Sequence, residues 1–190
     1  MTRMRVRRQS DELLTETILL IASRCECDPT FGATKLNKIL FYADFLAYLN
    51  LGRSITGQEY FALQQGPAPK RLLPVLKKMQ ADGSLAILES EFYGKVQRRT
   101  IALRQPDVGK FNSEEVDLIH YVIENWWGKT GREISEQSHR FLGWQLAAEK
   151  ETIPYEAALV GNREPTLDEI QRGLRLDPVA KELLARNAAR

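Results

Sequence analysis

Apolar side chains recur every three or four positions early in the chain. Leu14, Ile18, Ile21, Ala22 and Cys25 fall on one helical face, and Ser10 followed by Asp11 and Glu12 offers a cap and an acidic first turn. This helix is predicted to stop near Asp28-Pro29. Thr34 can cap a second helix over residues 35–50, in which Leu36, Ile39, Leu40, Ala43, Leu46 and Ala47 line one face and Gly52 ends it. Phe41, Tyr42, Phe45 and Tyr48 carry its apolar surface nearly all the way round, which predicts a central helix packed on more than one side.

Residues 52–69 are rich in turn formers around a short apolar stretch at 60–63, the pattern of a connector that ends in a rigid Gly66-Pro67 corner. A third helix is predicted over 70–82, presenting Leu72, Leu73, Leu76 and Met79. Pro74 fits there because N–H groups of a first turn lack helical partners in any case. After Gly83 the period changes, and two runs flanking Tyr93-Gly94 predict a β-hairpin at about 85–103. Asn112 or Ser113 then caps a helix with Glu114 and Glu115 at its positive end and Val116, Ile119, Ile123 and Trp126 on its buried face. Thr130 and Glu133 make a capping-box pattern for a short helix that carries Ile134 and ends near Ser138-His139. A further helical piece is expected at 144–149, then an irregular stretch through Ile153, Pro154 and Tyr155. Helix signals return in the tail at Thr166 and Asp177-Pro178. The expected fold is α+β and predominantly α-helical, a compact multi-helix domain with one small β-hairpin. It divides into a basic arm (1–10), a domain (11–160) and a helical tail (161–190).

Composition narrows the function classes. A chain of 190 residues, 43% hydrophobic and 27% charged, can bury a real core, and it lacks the high net charge of a disordered chain. Its longest fully apolar run, residues 18–22, falls far short of the roughly 20 residues that cross a bilayer. No apolar segment of a secretory signal follows the basic N-terminus, so a cytoplasmic protein without a membrane partner is expected. The 27 Lys+Arg and 25 Asp+Glu give +2, and Arg3, Arg5, Arg7 and Arg8 alone carry +4, so the remainder stands at −2. Such a body is not a polyanion-binding surface as a whole, and any nucleic-acid contact must be local.

The reactive residue types do not assemble a recognisable catalytic site. Cys25 and Cys27 are too close for an ordinary structural disulfide, and His120 and His139 are isolated, so neither metal nor cofactor is expected. Cys25 reads as a small apolar residue at a helix end. Gly128-Lys129-Thr130 resembles the end of a phosphate-binding loop, but Ile123 stands where its first glycine is required. Ser138 and His139 are adjacent, which does not place hydroxyl and imidazole in triad geometry, and no glycine elbow surrounds the serine. Asp44 is an acid inside an apolar helix, a position that calls for an arginine or backbone partner. Neither an enzyme nor a small-molecule substrate is expected.

One constellation suggests nucleic acid. A helix at 70–82 followed by a hairpin bearing Lys95, Arg98 and Arg99 has the order of a winged helix, with Arg5, Arg7 and Arg8 of the arm available to a minor groove or phosphates. A DNA-binding regulator of its own promoter is therefore the alternative reading. A solvated charged face explains the same cations.

Several short stretches carry a family resemblance. Lys35-Leu-Asn-Lys-Ile-Leu-Phe-Tyr-Ala-Asp44, Ile55-Thr-Gly57 and Tyr60 through Gly66-Pro67 come first, then Phe111-Asn-Ser-Glu-Glu115, Ile134-Ser135, Ser138-His139, Trp144 and Ile153-Pro-Tyr155. In this order and spacing, over about residues 11–160, they resemble the Panacea domain, the SocA-like antitoxin domain of bacterial and phage toxin–antitoxin systems. The resemblance implies a protein that neutralises a co-encoded toxin by direct contact, or delivers it to a cellular protease. It singles out Lys35, Leu36, Tyr42, Asp44, Gly66, Pro67, Ser138, His139 and Trp144 as structural or toxin-binding positions. Asp44 and His139 could form a buried polar tie between the two halves. The basic arm, the hairpin tip and the tail are the candidates for toxin choice.

Overall fold

The computed structural model describes residues 4–160, with Gln171 and Pro178 beyond them. Contacts divide the chain into units 1–160 and 161–190. The tail signals at Thr166 and Asp177 lie outside the described residues.

The first unit is α+β and dominated by helices. Ser10 caps α1 (Asp11–Arg24) by accepting from the Leu13 N–H. α2 (Ala33–Leu51) begins two residues earlier than predicted, with Gly32 at its N-cap, and ends at Gly52 with φ of 72°. α3 (Leu72–Ala81) places Pro74 in its first turn. β3 (Leu85–Phe92) and β4 (Lys95–Ala102) form the predicted antiparallel hairpin, closed by Tyr93 and Gly94. α4 (Ser113–Trp126) and α5 (Gly131–Ser138) both start with complete capping boxes, Asn112 with Glu115 and Thr130 with Glu133. α6 (Leu142–Leu146) is short.

A second sheet was not expected. The 52–69 segment, predicted as a connector, contains β1 (Tyr60–Leu63) and β2 (Gly66–Pro69), and the irregular 152–153 stretch is β5 (Thr152–Ile153). Their order is β2-β1-β5, all antiparallel, so Pro67 and Pro69 lie on an edge strand. The Lys70 N–H donates to the Glu59 carbonyl at 2.8 Å, which sets the hydrogen-bonded rungs at residues 59, 61 and 63 of that side. Both prolines therefore fall on the alternate rungs, where the missing N–H would point away from β1.

α2 is shared by two apolar clusters. One joins Leu36, Ile39, Leu40 and Ala43 to α1, α3 and α4 through Leu14, Ile18, Met79 and Ile119. The other packs Phe41, Phe45 and Tyr48 against Tyr60, Ile153 and Tyr155, and Phe45 stacks on Tyr155 at 4.6 Å. The prediction of a central helix is met. No helix among the described residues is long and apolar enough to cross a membrane.

Candidate functional site

The motif residues converge on α2 from distant parts of the chain. Asp44 is fully buried and accepts from the Ile55 and Thr56 N–H groups at 2.8 and 2.7 Å and from the hydroxyls of Thr56 and Tyr60. The Tyr60 hydroxyl is also 2.9 Å from the Leu40 carbonyl. Its one proton serves only one of these oxygens. Burial holds the Asp44 carboxyl above its ordinary range despite the four hydrogen bonds. Backbone groups and hydroxyls thus take the place of the arginine considered for Asp44. His139 is not its partner either. The imidazole stacks on Trp144 with centroids 4.0 Å apart, and the indole N–H donates to the Leu63 carbonyl at 3.0 Å.

Two lysines are buried on the other end of α2. Lys35 Nζ donates to Asp28 Oδ2 at 2.5 Å, Thr30 Oγ1 at 2.8 Å and the Lys129 carbonyl at 2.9 Å, which satisfies all three protons. Lys38 donates to the Pro67 carbonyl at 2.9 Å and has no ion-pair partner among the described residues, and burial lowers its pKa to about 7. Gly66, at φ of 92°, lies against Lys38 and Ser138, and a Cβ there would overlap the Ser138 oxygen. Ser138 itself donates to the Ser135 carbonyl at 2.8 Å and is buried. Leu36 belongs to the larger apolar cluster, and Tyr42 packs on Trp126 at 5.1 Å.

The arginines of the nucleic-acid reading divide. Arg7 donates to the Ile55 carbonyl at 2.9 Å and to Glu115 at 2.8 Å, and the Arg5 N–H donates to Gly52, so the arm lies along the 52–58 segment. Gly57, at φ of 67°, lets that backbone pass where a Cβ would collide with it. Arg99 is spent on the carbonyls of Asp28 and Glu26, both at 2.8 Å, and Arg98 pairs with Glu89 on the surface. Arg8 is exposed. The predicted phosphate contacts at Arg7 and Arg99 thus carry hydrogen bonds to the protein itself.

A concavity of this unit lies beside the motif scaffold. It is a groove of about 970 Å³ between the hairpin tip on one side and the starts of α2 and α5 and the β1–β2 turn on the other. Its apolar wall is Phe92, Tyr93 and Val96, and its polar wall includes Lys95, Gln65 and Arg132. Tyr93 is 89% and Val96 72% exposed, large apolar surfaces facing solvent at a tip. Among the described residues no group of three His, Cys, Asp or Glu could hold a metal. Cys25 is buried and its thiol is pushed up to about 12, which keeps it unreactive.

Residue patterns alone did not reveal Asp28 as the partner of Lys35, nor Lys38, nor the groove. A signal was present, since two lysines three residues apart in an otherwise apolar helix require acceptors wherever that face is covered.

No curated protein and no solved structure matches the chain. Residues 36–145 match the family model described as antitoxin SocA-like, Panacea domain. The match covers more than half of the chain and includes α2 from Leu36 onward, both β-sheets' first strands and the His139–Trp144 stack. The protein belongs to the SocA-like antitoxin family, Panacea domain.

Proposed function

We propose that this protein is the antitoxin of a toxin–antitoxin pair and that it silences its toxin by direct contact. Family membership over residues 36–145 is the observation that carries this reading. The motif residues supply the scaffold: Lys35, Leu36, Asp44 and Ser138 are buried and hydrogen-bonded or packed within the domain, so the toxin meets the exposed parts around them. An exposed aromatic hairpin tip beside a groove is the kind of surface that provides binding anchors. Promoter binding has less support, because Arg7 and Arg99 are engaged with protein oxygens.

The test is co-expression with the neighbouring open reading frame. That frame alone should arrest growth, and this chain should restore it and co-purify with its product. Masking leaves toxin levels steady during rescue, whereas delivery to a protease makes the toxin disappear and fails in protease-deficient cells. A neighbour that is harmless alone, or that is not rescued, defeats the reading.

A further inference from the structure

The hairpin has an unpaired edge turned into the groove. Tyr93 and Gly94 have φ of 49° and 70°, the pattern of a two-residue turn that makes Phe92 and Lys95 a hydrogen-bonded pair. The Leu103 N–H donates to the Ser84 carbonyl at 3.0 Å, which sets the same alternation from the other end. Residues 95, 97, 99 and 101 of β4 therefore bond to β3, and Val96 and Arg98 turn their N–H and C=O groups outward. Among the described residues these outward groups have no backbone partner. At Arg98 the start of α2 lies against this edge, since a Cβ on Gly32 would lie 3.8 Å from the Arg98 carbonyl, and Val96, nearer the tip, is the outward position left open.

The surroundings are electropositive. Lys95 has no ion-pair partner among the described residues. Arg98 and Arg132 hold only surface pairs with Glu89 and Glu136, which a competing carboxylate can replace at small cost. α2 opens onto the same groove with no side-chain cap and no acid in its first turn, so its positive end adds to the field. A concavity of about 970 Å³ admits a short extended segment and is far too small for a duplex.

The geometry points to one occupant: an acidic, extended segment of the partner protein that pairs its main chain with β4 at Val96, sets its carboxylates against Lys95 and Arg132, and packs an apolar side chain on Tyr93. Main-chain pairing supplies affinity that tolerates sequence change, and the flanking cations select for acidic segments. The inference rests on the antitoxin reading for the identity of that partner and on the β4 edge for its mode of binding.

The substitution that isolates the edge is Val96→Pro, which removes an outward N–H and no rung of the hairpin. The full chain, V96P, Lys95→Glu and a control outside the groove, Leu73→Ser, are titrated with the co-encoded toxin, a peptide alternating Asp and Leu, its Lys/Leu counterpart and a short single-stranded DNA. Thermal midpoints are measured for each variant. Toxin and acidic peptide should compete for the wild-type protein, with affinity falling as salt rises. V96P and K95E should each weaken both by roughly tenfold, while L73S leaves them unchanged. K95E keeps the test alive if V96P lowers the thermal midpoint. Toxin bound equally by V96P, K95E and the wild type overturns the groove and leaves the antitoxin reading standing. Acidic peptide bound through Val96 with no toxin neutralised upholds the groove and defeats the antitoxin reading. Preference for the basic peptide or for DNA overturns the inference.

Discussion

Lys35 Nζ sits 2.5 Å from Asp28 Oδ2, and neither side chain is accessible to water. Removing one member leaves an uncompensated charge in the core, so Lys35→Ala should destabilise the domain by about 3–5 kcal/mol. Replacing both with apolar residues should cost less than the single change. Chemical denaturation of K35A and of a K35M/D28L double variant measures the contrast. Burial opposes ionisation of Asp28, but its bonds to Lys35 and Thr30 outweigh it and hold the carboxyl below the usual range. Its stabilising share is therefore present above pH 3.8 and is lost as pH falls through the lowered value in the folded state.

Gly66 and Gly83 should respond differently to alanine. Both have positive φ, 92° and 76°, but a Cβ on Gly83 meets nothing within 4 Å, whereas one on Gly66 meets Lys38 atoms at 2.9 Å as well as Ser138. Gly83→Ala should cost about 1 kcal/mol, the backbone strain alone. Gly66→Ala should cost about 3 kcal/mol or more, because the collision adds to the strain. Thermal melts of the two variants provide the comparison.

Lys38 should make stability rise with pH. Its folded pKa is lowered to about 7 from 10.5, so between these values the unfolded chain holds a proton that the folded chain does not. Stability from this group then increases by about 1.4 kcal/mol per pH unit across that window and is flat below it. Lys38→Met lacks this term. The variant's advantage over the wild type, measured by urea denaturation, should be greatest near pH 7 and shrink towards pH 10. A difference that is flat across that range would contradict the assignment.

Arg98 and Arg99 are neighbours with opposite expectations. Arg99→Ala deletes two hydrogen bonds to carbonyls of the α1–α2 loop and should lower stability by about 1–2 kcal/mol. Arg98→Ala removes a surface pair and should change stability by less than about 1 kcal/mol. A promoter-binding function would instead make both substitutions weaken DNA affinity at unchanged stability.

Helix boundaries were legible wherever the determinant is local. Ser10, Asn112 with Glu115, and Thr130 with Glu133 act within four residues of the backbone they cap, so spacing alone reveals them. The β1–β2–β5 sheet was not legible, because Pro67 and Pro69 signal against a strand and only the alternation of rungs reconciles them with one. The site divides in the same way. Asp44 announced itself as an acid in an apolar helix, but its partners lie 11 to 16 residues away, and those of Lys35 extend to Lys129. Patterning shows that such a group needs a partner, and only the folded chain shows which.

β5 and Tyr155 lie beyond the matched residues 36–145, and α1 lies before them, yet the former complete the aromatic cluster and the latter buries Leu14, Ile18, Leu19 and Ile21 in the main core. The portion that matches the family is thus smaller than the portion that shares its cores. A fragment cut at the edges of the match would expose Leu36, Ile39 and Tyr60 to water and would strip Arg7 from the buried Glu115, so a graft made from residues 36–145 alone should fold poorly beside one that carries the whole first unit, residues 1–160.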